Sequence, residues 1–245
     1  MNRTSITGLA CLLAVALTAC AGGGEPPAPS GSPASAPLEA LKEPANSMSV
    51  SPPLSPAPVS AEALAAYRAL LAGEPGALDR PPEGLELHQV TLPPAEELEY
   101  VLLDLDGDGG AELVVQMVAQ PHQFNAVFHY GDGELSCWQY DIMEMSCRDY
   151  PLGDGAMVRQ YDTGTGPNRY SNLYTVFRYL PDGETEECAS LAVHQDTQED
   201  GTEVFTYLVY DAEVDQDTFA AEFEELVGSR LLSLEDWTPA TERPG

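Results

Sequence analysis

The spacing of apolar residues takes four forms along the chain. Residues 9–17 (LACLLAVAL) form an unbroken apolar run. It is shorter than the roughly 20 residues that cross a bilayer. Residues 21–59 carry no apolar period at all. From Ser60 the period becomes helical, with Leu64, Tyr67 and Leu71 on one face. That pattern predicts a helix from 61 to about 72, capped by Ser60 and stopped at Gly73. Prolines 75, 81 and 82 then break the chain.

Beyond residue 85 the pattern is that of strands. Residues 100–103 (YVLL) and 113–117 (LVVQM) are apolar β runs on either side of an acidic loop. Residues 126–130 and 134–140, joined by Gly131-Asp132-Gly133, read as a hairpin. Asp154-Gly155 and Asp182-Gly183 mark further turns. Residues 173–180 can pair with 186–193, and 203–210 reads as another strand. Asp215 or Asp217 can cap a last helix that places Phe219, Phe223 and Val227 on one face and ends at Gly228. Short turns between successive strands predict an antiparallel, meandering sheet. The expected fold class is α+β, mainly β, with a short helix before the sheet and one near the C-terminus. The expected folded unit is a single domain over 60–238, followed by a flexible tail over 239–245. No repeat recurs at a fixed period.

Composition narrows the partners. Forty Asp and Glu stand against ten Lys and Arg among 245 residues, for a formal charge of −30. Residues 60–245 carry −29 of this and contain no lysine. Nucleic acid is excluded as a partner, because phosphate binding is driven by counterion release to clustered Lys and Arg. Charge-driven docking on anionic lipid is disfavoured for the same reason.

The N-terminus reads as an address. Arg3 precedes the apolar run, which ends in Leu17-Thr18-Ala19-Cys20. This order resembles the signal peptide and lipobox of bacterial lipoproteins. The resemblance implies that residues 1–19 are removed. Cys20 then becomes an acylated N-terminus (a diacylglyceryl thioether, with palmitate-type chains) that holds the protein to the extracytoplasmic face of the cell membrane. Two acyl chains suffice for stable anchoring. Residues 20–59 follow as a tether, with ten prolines in 21–59 among Ala, Ser and Gly. Such a segment cannot bury enough surface to offset its ordering entropy, and its prolines favour extended polyproline II. Cleavage leaves Cys137, Cys147 and Cys188 as the remaining thiols. A Cys137–Cys147 bridge across a hairpin is compatible with an oxidising compartment, though sequence does not fix the pairing.

The sharpest chemical signal is residues 104–112, Asp-Leu-Asp-Gly-Asp-Gly-Gly-Ala-Glu. Oxygen-bearing side chains stand at alternate positions, Asp104, Asp106 and Asp108, and again at Glu112. Gly109 permits a sharp bend, and Gly110 can offer its carbonyl. Carboxylates this close repel one another by about 4 kcal/mol per pair at 4 Å and an effective dielectric of 20. An all-oxygen set favours Ca²⁺ over Zn²⁺ or Cu²⁺. The stretch 100–115 resembles the calcium loops of FG-GAP and VCBS-type repeats, in which a DxDxDGxx(D/E)L loop joins two strands. That resemblance implies Asp104, Asp106, Asp108, Gly110 and Glu112 as ligands of a structural Ca²⁺. This chain has one such loop, so a full propeller is not expected. Lipobox, tether, short helix, acidic loop and β meander together look like bacterial lipoproteins of unknown activity.

The remaining features point to structure. Asp211, Glu213, Asp215 and Asp217 alternate but lack a central glycine, which suits helix capping. His88, His122, His129 and His194 show no ligand spacing. Thr163-Gly164-Thr165-Gly166 suits a tight turn better than a phosphate cradle. Trp138, Tyr140, Tyr161, Tyr170, Tyr174 and Tyr179 suit strands and core packing. The expected function is a non-enzymatic, calcium-stabilised surface domain that contacts an envelope polymer or an extracellular protein. The alternative is an extracellular hydrolase of envelope material, which would need two carboxylates in one pocket.

Overall fold

The structure is a computed structural model that describes residues 57–245 apart from 141–145, 167, 243 and 245. The expected signal peptide (1–19), Cys20 and the tether up to residue 56 lie outside the described residues. No helix among the described residues is long and apolar enough to cross a membrane.

The first helix, α1 (Ala61–Leu71), begins where the sequence places it, with the Ser60 Oγ accepting from Ala63 N–H at 3.0 Å. It buries Ala63, Tyr67 and Leu71, while Leu64 is half-buried at the edge of that face. The strands are β1 (Leu98–Leu103), β2 (Glu112–Met117), β3 (Gln120–Gly131), β4 (Glu134–Tyr140), β5 (Cys147–Pro151), β6 (Met157–Gly166), β7 (Arg169–Tyr179), β8 (Thr185–Thr197), β9 (Glu203–Val209), β10 (Ala212–Val214) and β11 (Thr238–Pro239). The second helix, α2 (Gln216–Leu226), follows β10, and Asp215 caps it by accepting from Thr218 N–H at 2.8 Å.

The fold class is the expected one, mainly β with a helix before and a helix after. The meander, however, is divided between two antiparallel sheets, ordered β11-β1-β2-β3-β4 and β10-β9-β8-β7-β6-β5. The reason lies in where the apolar side chains go. β1 and β2 are buried on both faces, which a sheet with one wet face does not need. On one face Leu98, Tyr100, Leu113, Val115 and Phe128 pack under Tyr67 and Leu71 of α1. On the other, Val101, Leu103, Val114 and Val127 meet Met157, Phe177 and Tyr179 of the second sheet. The outer face of the second sheet, with Tyr174, Leu191 and Val193, receives Phe219 and Phe223 of α2 and Val227 just after it. The layers are therefore helix, sheet, sheet, helix.

A polar bridge crosses the seam between the sheets. Asp149 of β5 has a fully buried side chain. Its carboxylate accepts from Arg159 Nε at 2.9 Å, from Arg159 Nη2 at 2.6 Å and from Gln139 Nε2 of β4 at 2.6 Å. Tyr179 Oη donates to Gln139 Oε1 at 2.6 Å, and Asn125 Nδ2 of β3 donates to the Asp149 carbonyl at 2.7 Å. The hydrogen bond to Asp149 pushes the Arg159 guanidinium pKa further upward, against the effect of burial.

Two expectations are corrected, and the thiol pairing that the sequence leaves open is answered. Part of the tail expected to be flexible over 239–245 is docked: Pro239 pairs with Glu99, the Ala240 N–H donates to the Leu98 carbonyl at 2.9 Å, and Ala240 is buried. A bare outer edge on β1 would otherwise expose unpaired backbone groups. No disulfide joins Cys137, Cys147 and Cys188; Cys137 and Cys147 stand in different sheets rather than across one hairpin. Burial pushes the Cys137 thiol up to about 12. Residues 163–166 are the end of β6, with Gly164 paired to Tyr170 and Gly166 to Arg169, rather than a free tight turn.

Candidate metal centre

β1 and β2 pair down to Leu103 and Glu112, so residues 104–111 close the end of their hairpin as a loop. The loop is held by its own aspartates. Asp104 accepts from Gly107 N–H at 2.7 Å and from Gly109 N–H at 3.1 Å, one bond on each oxygen. Asp106 Oδ1 accepts from Asp108 N–H at 3.0 Å, and Asp108 Oδ1 from Gly110 N–H at 2.6 Å. Gly107 and Gly109 sit at φ of 76° and 88°, a region that L side chains rarely adopt, which explains glycine at those two places.

These bends bring Asp104, Asp106 and Asp108 together. One oxygen from each lies within 4.8 Å of the others, and such a group could hold a metal ion. Ligands at the 2.3–2.6 Å typical of Ca²⁺ lie at most about 5 Å apart, so the spacing suits that ion. Asp106 Oδ2 is enclosed and has no hydrogen-bond partner among the described residues. Burial raises the Asp106 carboxyl pKa, and the Asp108 charge adds to the rise, against the Asp108 N–H bond. Gly110 follows Asp108 in the same turn.

Glu112 is placed differently from the three aspartates. It is only 2 % exposed and begins β2 facing the seam between the sheets. Its Oε2 accepts from Leu105 N–H at 2.7 Å, and its Oε1 lies 3.0 Å from His129 Nδ1. Glu112, Asp106 and His129 form a second close group, again with ligand atoms within 4.8 Å of one another. Burial raises the Glu112 pKa, opposed by the bonds from His129 and Leu105. Burial alone would lower the His129 pKa, but the bond to Glu112 and the charges of Glu112, Asp106 and Asp108 outweigh it and raise it.

His129 is a candidate ligand that spacing in the sequence does not reveal. Its signal is strand register. Leu113 pairs with Phe128, so the residue before one and the residue after the other, Glu112 and His129, meet across β2 and β3. The His129 ring stacks on Trp138 at 4.3 Å, and Trp138 on Tyr179 at 5.2 Å. An open cavity of about 540 Å³ lies beside His129 and Trp138. The carboxylates that line it, Glu83, Asp132, Asp182 and Glu184, are all exposed. A larger cavity of about 1090 Å³, between the end of α1 and residues 87–96, takes no lining residue from the acidic loop.

Two supports fix the loop from outside. Tyr67 of α1, 1 % exposed, donates its hydroxyl to the Ala111 carbonyl at 2.8 Å. Burial and the Glu112 charge push its pKa above the ordinary phenol range. On the other side a Cβ on Gly155 would collide with the Asp104 carbonyl oxygen, so the β5–β6 turn abuts the loop at a residue that must be glycine. The adjacent Asp154 is held by Arg178 at 2.9 Å and Arg230 at 2.7 Å. Tyr67→Phe keeps the ring and leaves the Ala111 carbonyl without its donor. It is expected to cost about 1–2 kcal/mol, read as a lower urea midpoint at unchanged slope.

The other candidates resolve as structure. Asp211 lies in the β9–β10 turn, Glu213 in β10, and Asp215 caps α2. His194 Nδ1 lies 2.7 Å from Ser171 Oγ, and His88 is exposed beside Glu86. No family model, no curated protein and no solved structure matches the chain.

Proposed function

We propose that the chain is a lipid-anchored surface protein whose β domain is stabilised by Ca²⁺ and serves a binding or structural role outside the cytoplasm. The observation that carries this reading is the convergence of Asp104, Asp106 and Asp108 in a loop bent by two positive-φ glycines. The loop closes a hairpin buried on both faces, so an ion there tightens the core rather than a loose surface turn. Glu112 and the Gly110 carbonyl complete the ligand set in this reading, with Glu112 acting through water because its own oxygens face Leu105 and His129. Acylated Cys20 supplies the bilayer attachment and the proline-rich tether supplies reach. A charge of −29 on the displayed part repels anionic polymers and favours partners with basic or neutral surfaces.

The test is thermal melting of the chain in EDTA and then in excess Ca²⁺. An ion present at 100 times its Kd adds about 2.7 kcal/mol. For a domain of this size that is a rise in Tm of about 5–10 °C. Superimposable melting curves would end the calcium reading. The anchor is tested separately: Cys20→Ala is expected to move the protein from the membrane fraction to the soluble fraction and to abolish labelling by radioactive palmitate.

A further inference from the structure

We propose that Asp106, Glu112 and His129 form a second, inner ion site that takes a first-row transition-metal dication in addition to the outer aspartate group. The inference stands whether or not the outer group holds calcium, because different chemistry carries it. The inner group has an imidazole nitrogen, which Ca²⁺ and Mg²⁺ rarely accept and which Mn²⁺, Fe²⁺, Co²⁺ and Zn²⁺ accept readily.

Three observations converge on it. The candidate ligand atoms of all three residues lie within 4.8 Å of one another, and trans ligands on an ion with bonds of about 2.1 Å lie about 4.2 Å apart, so the group need draw in only slightly around one ion. His129 Nδ1 and Glu112 Oε1 are 3.0 Å apart. Two adjacent ligands on an ion with bonds of about 2.1 Å at right angles are separated by about 3.0 Å. An ion bound there displaces the proton shared by these atoms, and the imidazole turns in its own plane to aim Nδ1 at the ion. Third, Asp106 Oδ2 is cut off from solvent and lacks a hydrogen-bond partner among the described residues. An enclosed carboxylate oxygen without a partner is costly, and a cation removes that cost.

The site is also supported from behind, as ligands of tight sites are. Leu105 N–H fixes the far oxygen of Glu112 at 2.7 Å, and Trp138 fixes the His129 ring plane at 4.3 Å. Glu112 and His129 side chains are 2 % and 16 % exposed, so bulk water competes weakly there. Asp106 belongs to both groups and has two oxygens, so it can serve both ions.

The experiment uses the full chain, stripped with EDTA and returned to saturating Ca²⁺. Co²⁺ is then titrated in, followed by calorimetry and visible absorption. One equivalent is expected to bind, with d–d absorption bands. His129→Gln, which keeps a hydrogen-bond donor to Glu112, is expected to weaken Co²⁺ binding more than about 100-fold, beyond the 10–100-fold typical of losing only a ligand's partner. It should leave the calcium response of Tm in place. Asp108→Asn, outside the inner group, should leave Co²⁺ binding unchanged. The proposal is overturned if His129→Gln binds Co²⁺ as well as the parent, if saturating Ca²⁺ abolishes Co²⁺ binding, or if Asp108→Asn removes it. Should His129→Gln fail to fold, the parent chain labelled with ¹⁵N-histidine decides. Zn²⁺ must then shift an imidazole nitrogen of one of its four histidines, and an unchanged spectrum overturns the site.

Discussion

Arg159→Met is expected to destabilise the protein by about 3–5 kcal/mol, because it strands a buried carboxylate without its cation. In a domain of this size that lowers Tm by about 6–20 °C. The asymmetry of the pair gives the prediction its edge. The Asp149 side chain is wholly buried, while that of Arg159 is half exposed. Asp149→Asn leaves a guanidinium that can turn to water, so it should cost clearly less than Arg159→Met. Removing Arg159 leaves Asp149 with Gln139 Nε2 as its remaining side-chain donor among the described residues, across the sheet–sheet seam. Urea unfolding of the two variants at pH 7 checks both the size and the order. Equal losses would mean that the pair behaves as an exposed one, worth about 0–1 kcal/mol.

Asp104→Ala is expected to erase the calcium response of Tm, a loss of about 2.7 kcal/mol of ion-linked stability at 100 times Kd. Its effect in EDTA should be much smaller, for two reasons that oppose one another. The substitution removes the acceptor for Gly107 and Gly109 N–H, which loosens the bend. It also removes one of three crowded anions, whose repulsion at 4 Å and an effective dielectric of 20 is about 4 kcal/mol per pair before screening. The measurement is a pair of melting curves, with EDTA and with excess Ca²⁺, for parent and variant. A variant that keeps the full upward shift would place any bound ion elsewhere.

These two sites were not equally legible before the structure. The acidic loop is local. Alternate aspartates, two positive-φ glycines and flanking apolar runs are all encoded within a dozen residues, and the bend follows from them. Ser60 caps the first helix where the sequence puts it, and of the two candidates Asp215 and Asp217 the second helix takes Asp215; a cap needs only a side chain three residues from an open N–H. The Gly131-Asp132-Gly133 hairpin is local too, with Asp132 and Gly133 both at positive φ.

What escapes the sequence is whatever depends on pairs distant along the chain. Asp149 reads as one acid among forty, yet it meets Arg159 across β5 and β6 and Gln139 from the other sheet. His129 shows no ligand spacing, and only the β2–β3 register sets it against Glu112. The docked end of the chain carries no strong apolar period, but β1 offers an open edge that β11 covers.

The sequence by itself determined both helices, strands β1–β4 and β7–β9, the hairpin turns and the bent loop of aspartates, because each rests on interactions within a few residues; β5, β6, β10 and β11 it did not show. Tertiary structure alone decided that the meander splits into two sheets, that Glu112 turns inward to His129, and that Asp149 is buried with its partners. Those outcomes depend on which apolar faces meet, and burial then sets the electrostatic strength of every charge left between them.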